Sequence, residues 1–408
     1  MEEIFNEEKV YVIRPIEKEE NVDYLIEEIY SLITSANGVP VGNSVVKIRE
    51  VTPATYIGKG KVIEIKEEVE RLDCDTVVFD GALSPSQTLN LADALGIKVI
   101  DRTTLILDIF ALSASTYEGK LQVELAQLEY LYPRLKGKGQ ALSRLGGGIG
   151  TRGPGETKLE SDRRHIRNRI NKLKEELKDL ETRRKLQSYR REKNDEFIIS
   201  LVGYTNVGKS TLINALTGAD VLVKDKLFAT LDPTVRKTNI GGINVLITDT
   251  VGFIRDIPHD LIEAFKSTLE SATEADLILI VCDASSDYLA QLDVTKKTLE
   301  GLNYKAETLL VLNKCDTLTD LSTVSNEFTL ISAKSGKNID KLFEKINTVL
   351  EKYYVKTTLK FGYDKLQLFN SYTKLLDSYE INYYDDYVLV DIAVKKIHFF
   401  KFIQFKND

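Results

Sequence analysis

From Phe197 to Lys334 the apolar positions fall into short unbroken runs, each closed by a loop of chemically distinctive residues: FIISLVGYT, NVLITDT, DLILIVCDAS, TLLVLNK and FTLISAK. Both faces of a strand are apolar only when both are covered. The pattern therefore predicts five strands of a doubly wound α/β sheet over residues 196–354, with a ligand site beyond the carboxyl ends of the strands. Upstream, shorter β-branched runs alternate with helical spacing. Val10–Arg14, Ser44–Val51, Thr76–Asp80 and Lys98–Asp101 read as strands and Val22–Ser35, Lys61–Leu72 and Ser86–Leu95 as helices, giving a small N-terminal α/β domain over residues 1–115.

Residues 116–195 change period. Leu121, Leu125, Leu128, Tyr132 and Leu135 recur at steps of three and four, as do Leu159, Ile166, Ile170, Leu173, Leu177 and Leu180 with charges on the other faces. Each set forms an apolar seam along one side of a helix, and an antiparallel helical hairpin is the simplest way to bury both. The intervening KGKGQALSRLGGGIGTRGPGET, residues 136–157, holds eight glycines and predicts a mobile, non-helical tip loop. Residues 355–408 read as a small C-terminal α+β domain, with a helix over Tyr363–Leu376 and strands over Tyr387–Val394 and Ile397–Phe405. The fold class expected is multidomain α/β.

Composition adds a charge map and excludes some classes. With 43% apolar and 29% charged residues the chain has ordinary globular usage. No apolar run approaches the ~20 residues of a membrane span. The start, MEEIFNEEKV, lacks the basic and then apolar order of a secretory leader, so the cytoplasm is the expected location. Cys74, Cys282 and Cys315 are too scattered for a disulfide framework or a zinc knot. The formal charge of −7 conceals a basic stretch: residues 131–194 hold 19 Lys and Arg against 8 Asp and Glu, a net +11 that leaves −18 for the remainder. A localised positive arm of this kind suits a polyanion.

The chemistry sits in the strand-end loops. Gly203-Tyr204-Thr205-Asn206-Val207-Gly208-Lys209-Ser210 follows a strand and, with Thr211, opens a helix, which is the setting a phosphate-binding loop needs. Its glycines let backbone N–H groups turn toward phosphates. Lys209 is placed to reach the β and γ oxygens and Ser210 to ligate Mg2+. Asp249-Thr250-Val251-Gly252 closes the next strand, with Asp249 suited to hold Mg2+ through water and Gly252 to follow the γ-phosphate. Between them Phe228-Ala229-Thr230 occupies the place of a first switch, where Thr230 would ligate Mg2+ only in the triphosphate state. Lys209, Thr230 and Gly252 are the catalytic candidates. Asn313-Lys314-Cys315-Asp316 supplies a carboxylate for guanine N1–H and its exocyclic amine, which adenine cannot match. Asn313 would brace the phosphate loop, Lys314 would cover the base, and Ser332-Ala333-Lys334 would close its far side. The sequence thus reads as a P-loop GTPase.

Three segments, GYTNVGKS, FATLDPT with DTVGFI, and GGGIGTRGPGETKLESDRRHIRNRI, make the chain resemble the HflX family of translational GTPases over nearly its whole length. The resemblance implies binding to the ribosome, chiefly the large subunit and its rRNA, and GTP-dependent splitting of stalled or idle ribosomes by a mostly monomeric protein. It also implies a location on cytoplasmic ribosomes, with peripheral attachment to a membrane as a further option. The physical reading agrees: helices of ~20–30 residues span ~30–45 Å, enough to carry a tip into a deep RNA cavity. Lys136, Lys138, Arg144, Arg152, Lys158, Arg163, Arg164 and Arg167 are the candidate phosphate contacts there.

Many GTPases carry a glutamine after Asp-x-x-Gly to orient the attacking water; this chain carries Phe253, which predicts slow turnover alone and stimulation by ribosomes. Loops resembling GxxNxGKS often use K+ near the phosphates, which makes Asn206 the candidate K+ ligand beside the expected Mg2+. Two other readings stand beside this one. One is an RNA-dependent ATPase or RNA-remodelling protein with a separate ATP site, although no second phosphate loop precedes residue 196; the other is a GTP-dependent scaffold with little turnover.

Overall fold

A computed structural model describes residues 8–16, 21–143, 154–194, 196–218, 227–228, 234–250, 252–255, 274–302, 304–318 and 324–406, with backbone course only for 135–143, 154–160 and 184–194. Two compact units result: Met1–Tyr189 with Lys224–Asp232 and Ile254–Leu269, and Arg190–Val223 with Pro233–Phe253 and Glu270–Asp408.

The first unit opens with β1 (Glu8–Ile16), α1 (Val22–Ser35), β2 (Gly38–Lys47), α2 (Lys59–Arg71), β3 (Thr76–Phe79), α3 (Pro85–Leu95), β4 (Lys98–Asp101) and α4 (Arg102–Ser113). Its sheet is parallel in the order β2-β1-β3-β4. Tyr11, Ile13, Val77 and Phe79 pack on Val62, Ile65 and Leu91 from α2 and α3. The second strand begins at Gly38, six residues before the expected Ser44. Pro40 and the glycines disguise it as a turn, and an edge strand is where a residue without an N–H is tolerated. Helix α4 was not predicted, because RTTLILDIFALS is apolar on nearly every face and buried along most of its length, so it shows no helical stripe.

A buried charge cluster joins the first unit's elements. Arg14 Nη1 lies 2.9 Å from Asp80 Oδ2, Arg102 Nη1 lies 2.7 Å from Asp80 Oδ1, and Arg102 also pairs with Glu28. Burial alone would lower the Arg102 pKa, but Asp80 and Glu28 outweigh it and raise the value. Arg102 Nη2 further donates to the Arg255 carbonyl at 3.3 Å.

Helices α5 (Tyr117–Ser143) and α6 (Pro154–Asn194) follow. Leu121 and Leu125 pack on Ile170 and Leu173, flanked by Leu128, Tyr132, Ile166, Leu177 and Leu180, which are residues of the predicted seams. Tyr117 meets Glu176, Glu124 meets Arg169 and Arg163 covers Tyr132, so the two helices run antiparallel. The predicted loop over residues 136–157 is corrected at both ends: helix continues to Ser143 and resumes at Pro154. A glycine in a helix costs about 1 kcal/mol. Gly137 and Gly139, beside the helix-favouring Gln140, Ala141 and Leu142, do not stop it.

The second unit contains β5 (Phe197–Gly203), α7 (Lys209–Thr217), β6 (Val235–Ile240), β7 (Ile243–Asp249), β8 (Leu277–Asp283), α8 (Tyr288–Glu300), β9 (Glu307–Asn313), β10 (Phe328–Leu330) and α9 (Ile339–Tyr353). The six strands lie in the order β10-β9-β8-β5-β7-β6, all parallel except β6. The five predicted strands are β5, β7, β8, β9 and β10. The sixth, VRKTNI, alternates in burial as an edge strand does and hides in polar sequence.

The chain ends in β11 (Tyr354–Phe361), α10 (Leu366–Tyr372), β12 (Leu376–Tyr383), β13 (Val388–Lys395) and α11 (Lys396–Phe399), with an antiparallel sheet in the order β11-β13-β12. Asp377 anchors it to β7, accepting from Asn244 N at 2.5 Å. The strand predicted over Ile397–Phe405 is instead α11 followed by tight turns and a short 3-10 segment, Ile403–Phe405. Every third residue, Phe399, Phe402 and Phe405, points into the core while Ile397, Phe400 and Ile403 are exposed, a period of three that an aromatic run conceals.

Candidate nucleotide site

Strand β5 ends at Gly203, and six residues later α7 begins at Lys209. The loop between them is set by backbone geometry. Gly203 has φ +155° and a Cβ there would sit 2.1 Å from the Val281 carbonyl oxygen, while Gly208 has φ +89° and a Cβ would meet Asn313 Nδ2 at 2.4 Å. Asn206, exposed, also takes a left-handed φ of +59°, a conformation that asparagine tolerates better than most residues.

Lys209 is buried, and its Nζ donates to the carbonyls of Gly203 at 3.2 Å and Tyr204 at 2.8 Å. Burial pushes its pKa down to about 8, against an upward pull from Asp249. The next residue, Ser210, donates its hydroxyl to Asp249 Oδ2 at 2.8 Å. A hydroxyl and a carboxylate form a hard oxygen pair of the kind that would hold Mg2+. Thr250 is buried and donates to the Leu201 carbonyl at 2.7 Å, fixing the end of β7 against β5.

The two strand-end loops are stitched together beyond that point. Phe253 N–H donates to the Gly203 carbonyl at 3.0 Å and Thr205 N–H to the Phe253 carbonyl at 2.8 Å. Gly252 lies inside this stitch: a Cβ on it would stand 2.7 Å from Thr205 Cγ2 and 3.0 Å from Lys209 Nζ. Phe253 itself is 2% exposed, so its ring belongs to the core.

Asn313 joins a third loop to the first. Its Nδ2 donates to the Val207 carbonyl at 2.8 Å and its Oδ1 accepts from Ala333 N–H at 2.9 Å. Lys314, with φ +60°, pairs with Asp283 at 2.6 Å. Asp316 is exposed and its pKa is lowered, chiefly by a hydrogen bond from Ser332 and then by one from the backbone. Lys334 is exposed.

Of the predicted site residues, Gly203 to Thr211, Asp249, Thr250, Gly252, Asn313, Lys314, Asp316, Ser332, Ala333 and Lys334 converge at the carboxyl ends of β5, β7 and β9 and the loop after β10. Ala229, Thr230 and Val251 lie outside the described residues, as do Arg144 and Arg152. Phe228 belongs to the first unit: its ring packs edge-on to Phe110 at 4.7 Å, and the preceding Leu227 N–H donates to Ser35 Oγ at 2.9 Å. Neither Phe110 nor Ser35 carried a sequence signal. Arg164 and Arg167 are exposed on α6, Arg163 is half-buried over Tyr132 at 5.2 Å, and Lys136, Lys138 and Lys158 lie on helical backbone. All three cysteines are free and buried, with the Cys282 thiol pushed up to about 12 by burial. No helix among the described residues is long and apolar enough to cross a membrane.

Three family profiles match separate stretches of the chain. Residues 198–314 match a profile described as 50S ribosome-binding GTPase, residues 23–111 one described as GTP-binding GTPase N-terminal, and residues 113–191 one described as GTP-binding GTPase Middle Region. The GTPase HflX of Caldanaerobacter subterraneus subsp. tengcongensis is 48% identical over 373 residues, 91% of this chain and 87% of its own. The GTPase HflX of Escherichia coli K12 is 43% identical over 346 residues, 82% of this chain and 81% of its own. A GTP-binding protein of Sulfolobus solfataricus, solved with GDP, is 25% identical, with a TM-score of 0.47 over 85% of this chain and 99% of its own.

Proposed function

The chain belongs to the HflX family of GTPases and hydrolyses GTP to GDP and phosphate; from that premise we propose that its GTP form engages the large ribosomal subunit through the basic hairpin and separates ribosomes into subunits. The observation that carries the reading is the hairpin itself: an apolar seam, closed by Leu173, holds two long helices together while Arg164 and Arg167 stay exposed beside it. Multiple Lys and Arg contacts to phosphates give affinity that falls steeply with salt. Supporting the partner, residues 198–314 match the profile described as 50S ribosome-binding GTPase.

In this reading the loop from Gly203 to Ser210 cradles the phosphates with backbone N–H groups at the start of α7, and Lys209 turns its ammonium from the loop carbonyls toward the β and γ oxygens. Bound Mg2+ would supply charge neutralisation at those oxygens. Ser210, and Asp249 through water, would hold the ion, with Thr230 as a third candidate in the triphosphate state and Asn206 as the K+ candidate. Asp316 accepts from the guanine edge, Lys314 lies over the base, and Ala333 lends a backbone donor. Phe253 offers no hydrogen bond to water, so turnover is slow until the ribosome orders the switch segments.

Sedimentation tests it. Ribosomes run with the chain and GTP, or a nonhydrolysable analogue, should resolve into subunits, and with GDP should stay intact. Intact ribosomes under all three conditions would refute the proposal.

A further inference from the structure

Thr205 carries a buried hydroxyl within the phosphate loop. The residue is 5% exposed, and its Oγ1 is buried with no hydrogen-bond partner among the described residues. Leaving a buried hydroxyl unpaired is costly, so native sites pair such groups with a neighbour, water or ligand. Ser200 Oγ and Thr329 Oγ1 are similarly placed, but they sit on β5 and β10, inside the sheet. Thr205 alone of the three stands in the phosphate loop.

Its surroundings identify the partner. The Thr205 N–H is committed to the Phe253 carbonyl, which holds the residue in place and leaves the side chain as its adaptable polar group. Thr205 Cγ2, Thr205 Cα and Lys209 Nζ all come within 3.0 Å of the point where a Cβ on Gly252 would sit. Thr205 thus stands, by its methyl and Cα, where the lysine of the phosphate loop and the glycine that follows the γ-phosphate converge, and its hydroxyl is the side-chain polar group that it brings there. Phe253, where a glutamine would provide polar contact, is buried and its ring has no donor. A threonine hydroxyl both donates and accepts, so it can serve a phosphoryl oxygen where a phenyl ring cannot.

We propose that the Thr205 hydroxyl hydrogen-bonds the terminal phosphoryl group of GTP, and makes this site discriminate GTP from GDP and hold the γ-phosphate for attack. GDP lacks the group that this hydroxyl meets. The inference rests on the phosphate-loop assignment above.

The test compares Thr205→Val, which keeps the shape without the hydroxyl, and Thr205→Ser, which keeps the hydroxyl. Fluorescent GDP and a nonhydrolysable GTP analogue are titrated into the full-length protein, and single-turnover hydrolysis is followed. A hydrogen bond to a charged group is worth a factor of about ten or more, so the ratio of analogue to GDP affinity should fall at least ~10-fold in Thr205→Val. Single-turnover hydrolysis should fall with it, and Thr205→Ser should restore both. An unmoved ratio in Thr205→Val, including the case where both affinities drop together, overturns the inference. Lys209→Ala separates the two levels: undiminished nucleotide affinity there would overturn the phosphate-loop assignment instead.

Discussion

Asn313 and Val207 hold two recognition loops in one register: the asparagine amide donates to the Val207 carbonyl at 2.8 Å while its oxygen accepts from Ala333 N–H at 2.9 Å. One buried side chain thereby connects the phosphate loop, the base-recognition loop and the loop after β10. Asn313→Ala removes both bonds and strands two buried backbone groups, each worth ~1–3 kcal/mol. The expected result is a lower melting temperature and at least tenfold weaker GDP binding. A variant that melts and binds like the parent would show the brace to be dispensable.

Gly208 and Asn313 are also in steric register. A Cβ at Gly208 meets Asn313 Nδ2 at 2.4 Å on a backbone with φ +89°. Gly208→Ala therefore combines left-handed strain with displacement of the brace, about 1–3 kcal/mol from overpacking alone. Gly218→Ala, at φ +66° with nothing within 4 Å of its Cβ, carries the strain without the clash. Comparing the two in chemical denaturation and GDP titration separates the terms: Gly208→Ala should lose GDP binding and Gly218→Ala should keep it.

Much of this site is legible in sequence because each strand-end loop is a local string of residues. FIISLVGYTNVGKS announces the strand, the turn and the helix start together. Partners remote in sequence are not announced. Phe228 reads as part of a switch motif, yet its ring is packed on Phe110, which lies in another segment of the chain and has no motif of its own. Helix α4 was invisible because burial on nearly every side erases the periodicity by which a helix is recognised, and β2 because Pro40 imitates a turn. At the carboxyl end, IHFFKFIQF satisfies a strand's appetite for aromatic residues, and only the period of three in burial gives away its helical course.

The lysine of the phosphate loop makes nucleotide affinity depend on pH. Burial holds Lys209 at about 8, below its ordinary 10.5. The nucleotide-free folded state then binds fewer protons than the unfolded chain between roughly pH 8 and 10.5. The penalty to stability is thus complete below pH 8 and fades as pH rises toward 10.5. Nearby phosphates favour the ammonium, so the bound state retains its proton above pH 8. GDP affinity should be flat below that point and weaken above it, with uptake of ~0.7 proton per nucleotide at pH 8.5 and little at pH 7. Calorimetry in two buffers of different ionisation enthalpy measures this directly; equal heats in both at pH 8.5 would contradict it.

Arg102 tests the cohesion of the first unit. Its guanidinium is paired with Asp80 and Glu28 and also serves the Arg255 carbonyl. Arg102→Ala removes the cation that Asp80 and Glu28 share and leaves Asp80 its pair with Arg14, a loss of ~3–5 kcal/mol. Arg102→Lys keeps the charge but not the forked geometry and should recover only part of it. Urea denaturation should show Ala below Lys below the parent. Equal midpoints would mean that the cluster adds nothing net.

Asp316 is the residue by which these converging loops would select a guanine nucleotide. Its carboxylate would accept from guanine N1–H and the exocyclic amine; Asp316→Asn replaces one acceptor by a donor, which suits xanthine, where a carbonyl stands in place of the amine. Competition titrations with GDP and xanthosine diphosphate give the answer. Asp316→Asn should weaken GDP binding by ~100-fold or more and prefer the xanthine nucleotide, while the parent shows the reverse. Unchanged GDP preference in Asp316→Asn would contradict it.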